Sequence, residues 1–297
     1  MPTHVLVPTD GTEHATAGLE YSFASFPDAS ITALYVVDPG RDEYASVGGG
    51  DPPGRRAEER GERVLERATD RAEAHGRELR TELRTGEAHT EILSMAAETD
   101  VDHVVMGSHG ESPITRPFLG HVSEAVVRRS PVSTTIVPES ATALRNRDLP
   151  GRVLVPVDGS EQAEAALAYA LETFPDGEHT AFHALPMTLD RPSEAISGTY
   201  LEEVLADLED RGSEILASAA TLADELDATI GTETAIGEPA TAIGEYAEAN
   251  GYDQIVMGSH GRSLSARLFT GSVAERVTRR SPLTVTLVRG SHSASAD

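Results

Sequence analysis

Residues 256–272 read VMGSHGRSLSARLFTGS, with glycine at 258, 261 and 271 and Ser272 directly after the last. Residues 104–121, VVMGSHGESPITRPFLGH, repeat the spacing with Gly107, Gly110 and Gly120. Each loop follows an apolar run and precedes a helical pattern. Glycine there permits positive φ and lets a ligand's oxygens approach backbone N–H groups. A helix beginning at Gly271–Ser272 aims its free N–H groups and its dipole at the same space, which favours an anion such as phosphate. The Ser272 hydroxyl adds a donor. Asp158 ends another apolar run, RVLVPVD. A carboxylate repels phosphate, but it accepts hydrogen bonds from ribose hydroxyls or an adenine amine. His109 and His260 sit inside the glycine loops, where donation to phosphate and plain solvent exposure are both open. One glycine triplet at this spacing is a weak signal, since tight turns also need glycine. Two at equivalent places in a duplicated chain are a much stronger one.

The elements that must hold these residues come in two copies. HVLVPTDGTEHA at 4–15 matches RVLVPVDGSEQA at 152–163, an offset of 148. VVMGSHG at 104–110 and RRSP at 128–131 recur at 255–261 and 279–282, an offset of 151. A unit of that length is a duplicated domain, not a solenoid repeat. The boundaries expected are a first domain over 1–142, a linker over 143–151, a second domain over 152–290 and a frayed tail over 291–297.

In the second copy, strand patterns at 152–157, 179–185, 228–236, 253–258 and 283–288 alternate with helical patterns. Ser160 caps the first helix, and Pro239 stands in the first turn of a later one. The first copy repeats the order, with a Gly/Pro-rich loop at 39–54. Strands alternating with helices predict right-handed crossovers and a parallel sheet covered on both faces. Ligands of such sheets sit beyond strand carboxyl ends at a topological switch point, which is where the aspartate and glycine loops fall. Ser160 and Ser272 have no nucleophile-elbow context, so both read as helix caps. Arg128–Arg129 and Arg279–Arg280 end helices and suit the dipole there.

Composition removes several classes of chemistry. All 24 basic residues are arginine, against 49 acidic ones, for a net charge of −25. Without lysine there is neither a P-loop nor a pyridoxal Schiff base. Without cysteine there are no disulfides, thiolate chemistry or cysteine-ligated zinc, and no histidine spacing marks a metal site. The acidic surface disfavours nucleic acid and suits a salt-rich, halophilic cytoplasm. No apolar run is long enough to span a membrane, and the start of the chain does not resemble a secretory signal.

The run VMGSHG, nine residues, then GSVAE resembles the G-x-x-G-x₉-G-[ST] signature of universal stress proteins. VPVDGS and RRSPLTVTLV resemble the same family, and the likeness covers nearly the whole chain as two tandem domains. It implies two Rossmann-like (adenine nucleotide alpha hydrolase-like) α/β domains, each a five-stranded parallel sheet of order 3-2-1-4-5. It also implies ATP or another adenine nucleotide as ligand, with or without Mg. By that match Pro156, Val157 and Asp158 face adenine and ribose, and Ala184 lines the adenine pocket. Met257, Gly258, His260, Gly261, Gly271, Ser272, Val273 and Ala274 surround ribose and phosphates. The corresponding first-copy residues are Pro8, Thr9, Asp10, Val36, Met106, Gly107, His109, Gly110, Gly120, Val122 and Ser123.

Copy one departs from the pattern at His121, which replaces the serine, and at Glu111, where copy two has Arg262. Pro113 and Pro117 stiffen its loop, and the first site is expected to bind more weakly, to take a less charged ligand or to stay empty. The resemblance further implies that the terminal strands, VSTTIV at 132–137 and LTVTLV at 283–288, pair antiparallel within the chain. That makes an intramolecular pseudo-dimer with both sites outward. A homodimer of whole chains is left open. The function expected is nucleotide-dependent signalling in the stress response. A slow ATP hydrolase and a scaffold without nucleotide are the alternatives.

Overall fold

Val5, Leu6 and Val7 are fully buried, as are their counterparts Val153, Leu154 and Val155. Strands buried on both faces belong inside a sheet that is covered twice. The computed structural model of the chain has that sheet. It describes residues 1–38, 53–98, 100–109, 119–138, 149–186, 198–260 and 270–290. The loop at 39–52, residues 139–148 with most of the expected linker, and the tail lie outside the described residues. So do Gly110, Glu111, Pro113, Pro117, Gly261 and Arg262.

In copy one the elements are β1 His4–Pro8, α1 Glu13–Ser25, β2 Ser30–Val37, α2 Pro53–Ala74, β3 Arg80–Thr85, α3 Ala88–Glu98, β4 His103–Gly107, α4 His121–Arg129 and β5 Ser133–Val137. In copy two they are β6 Arg152–Pro156, α5 Glu161–Thr173, β7 Glu178–Leu185, α6 Gly198–Glu225, β8 Ile230–Ile236, α7 Pro239–Ala249, β9 Gln254–Gly258, α8 Ser272–Arg280 and β10 Thr284–Val288.

The strands form one sheet of ten in the order β3-β2-β1-β4-β5-β10-β9-β6-β7-β8. Each half is the expected 3-2-1-4-5 parallel array. The halves join antiparallel through β5 and β10, with Val285 opposite Ile136, Thr286 opposite Thr135 and Leu287 opposite Thr134. Antiparallel joining turns the carboxyl ends of the two halves to opposite ends of the sheet.

Alternation along β1 and β6 sorts the core into two layers. Val5, Val7, Val153 and Val155 pack with α1, α2, α5 and α6. Leu6 and Leu154 pack with α3, α4, α7 and α8. Both layers run across the junction without a break, so the two copies share their hydrophobic core.

A buried polar chain crosses the same junction. The Tyr21 hydroxyl of copy one donates to Gln254 Oε1 of copy two at 2.6 Å. In the pseudo-symmetric place, Tyr169 Oη of copy two lies 3.1 Å from His103 Nδ1 of copy one. His103 Nε2 is 2.8 Å from Thr135 Oγ1, and Thr135 Oγ1 is 2.7 Å from Thr286 Oγ1 across the β5–β10 seam. Burial pushes the Tyr169 phenol far above its ordinary range, so it stays a donor. Burial also lowers the His103 pKa to about 3. The neutral ring therefore carries one N–H and one acceptor nitrogen, and it joins Tyr169 and Thr135 with one of each.

Candidate functional site

At the end of β6 the chain turns through Pro156, Val157, Asp158 and Gly159. Asp158 Oδ1 accepts from the Ser160 N–H at 3.0 Å and from its hydroxyl at 2.6 Å. Ser160 Oγ in turn accepts from the Ala163 N–H at 3.3 Å and caps α5. Gly159 has φ +74°, a left-handed conformation that suits glycine. The aspartate is thus held by its own turn at the mouth of the sheet. Asp10 is held the same way by Thr12, at 3.0 Å from the N–H and 2.7 Å from the hydroxyl.

β9 ends at Gly258, where α5 lies directly against the backbone. A Cβ there would stand 2.8 Å from the Gln162 carbonyl oxygen. Beyond it, the Ser259 N–H donates to Val288 O at 3.0 Å, and the Gly271 N–H donates to Ser259 O at 2.7 Å. The first bond ties the start of the glycine loop to β10, and the second joins that start to the loop's end. Ser259 Oγ also lies 2.9 Å from His260 Nδ1.

The N-cap of α8 is Gly271, without a side-chain capping bond. Ser272 is therefore the first helical residue and not the cap that its type leads one to expect. The Glu275 N–H is the one that returns to Gly271 O. The amides of Ser272, Val273 and Ala274 thus have no intrahelical acceptor, and the positive end of the dipole lies with them.

These pieces face one cavity of about 430 Å³. Among the residues singled out in the sequence, Pro156, Val157, Asp158, Ala184, Met257, Gly258, His260, Gly271, Ser272, Val273 and Ala274 all line it. The cavity lies where β6 is followed by β7 on one side and β9 on the other, which is the switch point of this half of the sheet. Its size is that of a small-molecule site.

The sequence reading missed part of the wall: Phe182, His183, Leu208, Arg211, Ile215 and Ile243 also line the cavity. His183 Nδ1 donates to the Val157 carbonyl at 2.7 Å, while the Val157 N–H donates to Phe182 O at 2.8 Å. Arg211 shares a face of α6 with Leu208 and Ile215 at helical spacing. A cation among apolar residues on an inward face was the available signal. Among the described residues, no carboxylate pairs with Arg211.

Copy one carries different groups at the matching places. Tyr35 stands for His183, and its hydroxyl accepts from Arg60 Nε at 3.0 Å. Tyr35 is buried, and its ring lies 2.7 Å from where a Gly61 Cβ would be, against α2. Gly107 is as tightly backed as Gly258, with His14 O at 2.5 Å from a Cβ. Gly120 is the N-cap of α4, and Ser123 Oγ donates to Gly107 O at 3.0 Å. Ser108 Oγ is 2.8 Å from His109 Nδ1, and the His109 ring centre is 5.5 Å from that of His14.

His121 begins α4, with its ring centre 6.0 Å from that of His89. Of the expected first-copy residues, Thr9 lines a cavity of about 240 Å³ with Gly11, Val64 and Arg67. His121 opens on a separate one of about 580 Å³ with Glu87, His89, Glu124 and Arg129. Pro8 and Met106 end β1 and lie in β4, Val36 is in β2, and Val122 is in α4.

A duplicated parallel α/β unit with a glycine-bounded helix N-terminus at its switch point defines a tandem Rossmann-like protein of the adenine nucleotide alpha hydrolase-like fold. The chain belongs to the universal stress protein family, whose model matches residues 1–138 and 150–289. A universal stress protein of Methanocaldococcus jannaschii is 32% identical over 142 residues, covering 46% of this chain and 81% of the relative. One from Mycolicibacterium smegmatis is 26% identical over 296 residues and covers 96% of both chains. Among solved structures, a universal stress protein from Archaeoglobus fulgidus superposes with a TM-score of 0.66 at 25% identity, covering 97% of each chain. No helix among the described residues is long and apolar enough to cross a membrane.

Proposed function

We propose that the second copy binds an adenine nucleotide, ATP foremost, and that occupancy of this site sets the conformation or partners of the chain in a stress response. The observation that carries the reading is the order of chemistry along one cavity. Val157, Phe182, Ala184 and Ile243 give apolar walls for a base, Asp158 gives an acceptor for sugar hydroxyls, and the free amides of Ser272, Val273 and Ala274 give an anion site. The first copy binds more weakly, because Tyr35, bonded to Arg60, and His121 replace smaller groups there. The test is mass spectrometry of the small molecules released from undialysed protein purified in high salt. An adenine nucleotide is the expected species. Release of a different cofactor class, with no adenine nucleotide, would overturn the reading.

A further inference from the structure

Thr270 and Val127 belong to different copies, and a hydrogen bond joins them. Thr270 Oγ1 donates to the Val127 carbonyl at 2.6 Å, and both residues are buried. Val127 lies in the last turn of α4, where carbonyls lack partners within the helix. The residue four positions on is Pro131, which has no N–H to give, so the carbonyl needs a donor from elsewhere. The hydroxyl from the other copy supplies it. Thr270 directly precedes Gly271, the N-cap of α8, and the Gly271 N–H is itself bonded to Ser259 O at 2.7 Å. The approach to the α8 N-terminus is therefore fixed from two sides, by Ser259 of its own copy and by the last turn of α4 in the other.

The tie runs one way. The matching residue of copy one is Leu119, which packs in the shared apolar layer and has no hydroxyl. An ion pair between the two helices is long: Arg279 Nη1 to Glu124 Oε1 is 3.9 Å, and both side chains are more than a third exposed. A pair of that kind contributes little.

We propose that Thr270 is a positioning residue through which copy one holds the anion-facing end of the second site, so that this site is complete only when the two copies are paired. The claim rests on the nucleotide reading only for its effect on affinity. α4 begins beside the expected first site and has Val127 in its last turn, so the same bond ties the approach to one site helix to the C-terminal turn of the other. Any resulting coupling between the sites is reciprocal.

The test uses the full chain, with Thr270→Val to delete the donor at constant shape and Thr270→Ser to restore it. Amide exchange in the nucleotide-free protein should rise at Gly271 and Glu275 in the valine variant and return toward the parent in the serine variant, while small-angle scattering stays compact in both. ATP affinity should fall about three- to tenfold with valine, the size of one hydrogen bond's net contribution, and recover with serine. Unchanged protection at Gly271 and Glu275 in the valine variant would overturn the proposal whatever the ligand. Lost protection with unaltered ATP affinity would overturn it as well. Lost protection in a protein whose parent binds no ATP would keep the positioning role and reject the nucleotide reading instead.

Discussion

His103 and Gln254 hold the same place in the two copies, each met by a tyrosine from the other. Glutamine is indifferent to pH, and histidine is not. In the folded chain His103 stays neutral until about pH 3, whereas an unfolded histidine takes a proton near its ordinary 6.5. Between those values the unfolded state binds more protons, so stability falls as pH falls through that window and is fully kept above 6.5. The slope is at most about 1.4 kcal/mol per pH unit. Going from pH 7 to pH 5 should therefore cost the parent about 2 kcal/mol through this residue alone. His103→Gln, copying the other half of the molecule, should remove that part of the loss while keeping a hydrogen-bond partner for Tyr169. Urea unfolding of both proteins at the two pH values measures it. Equal losses in parent and variant would mean that His103 is not the group that titrates.

At the scale of elements, β10 is the strand on which the halves depend. It pairs with β9 on one side and β5 on the other, so each of its backbone groups serves one ladder or the other. Proline at Ile136 or at Val285, an opposed pair whose backbone groups face the seam, removes an N–H and breaks it. We expect small-angle scattering to change from one compact body to two lobes, and an unchanged profile in both variants would refute the pairing as the link between copies.

The order of strands and helices is legible in the sequence because burial on both faces writes continuous β-branched runs, and helices write three- and four-residue spacing. The seam is legible because an alternating strand at a sheet edge needs a partner. The wall contributed by Phe182, His183 and α6 is not. Which inward residue of a long helix faces a cavity depends on how that helix lies over β7, and no local pattern encodes that. The role of Ser272 is misread for a related reason, since serine suits a cap and only the backbone at Gly271 shows that the cap lies one residue earlier. The Tyr35–Arg60 bond and the Thr270–Val127 tie join elements far apart in the chain, and each is a matter of packing alone.

The whole molecule carries a net charge of −25 on one continuous ten-stranded body. Like charges at that density oppose the compact state, and salt screens them. Thermal midpoints should therefore rise from low to molar KCl. A flat or falling midpoint would show that the acidic surface does not limit stability. The same charge works against binding an anion, so the favourable field of the α8 N-terminus must act locally inside the cavity, where it is least screened.

The most direct measurement is a calorimetric titration of ATP into the parent, Ser272→Asp and His121→Asp in molar KCl. Aspartate at the first helical position suits the helix dipole, so the fold is kept, but it puts a carboxylate where phosphate is to lie. The account predicts ATP binding by the parent, a loss of at least about tenfold in Ser272→Asp from charge repulsion at contact distance, and a much smaller change in His121→Asp. No binding of ATP, ADP, AMP or cAMP by the parent, or equal affinity in the parent and Ser272→Asp, would contradict it.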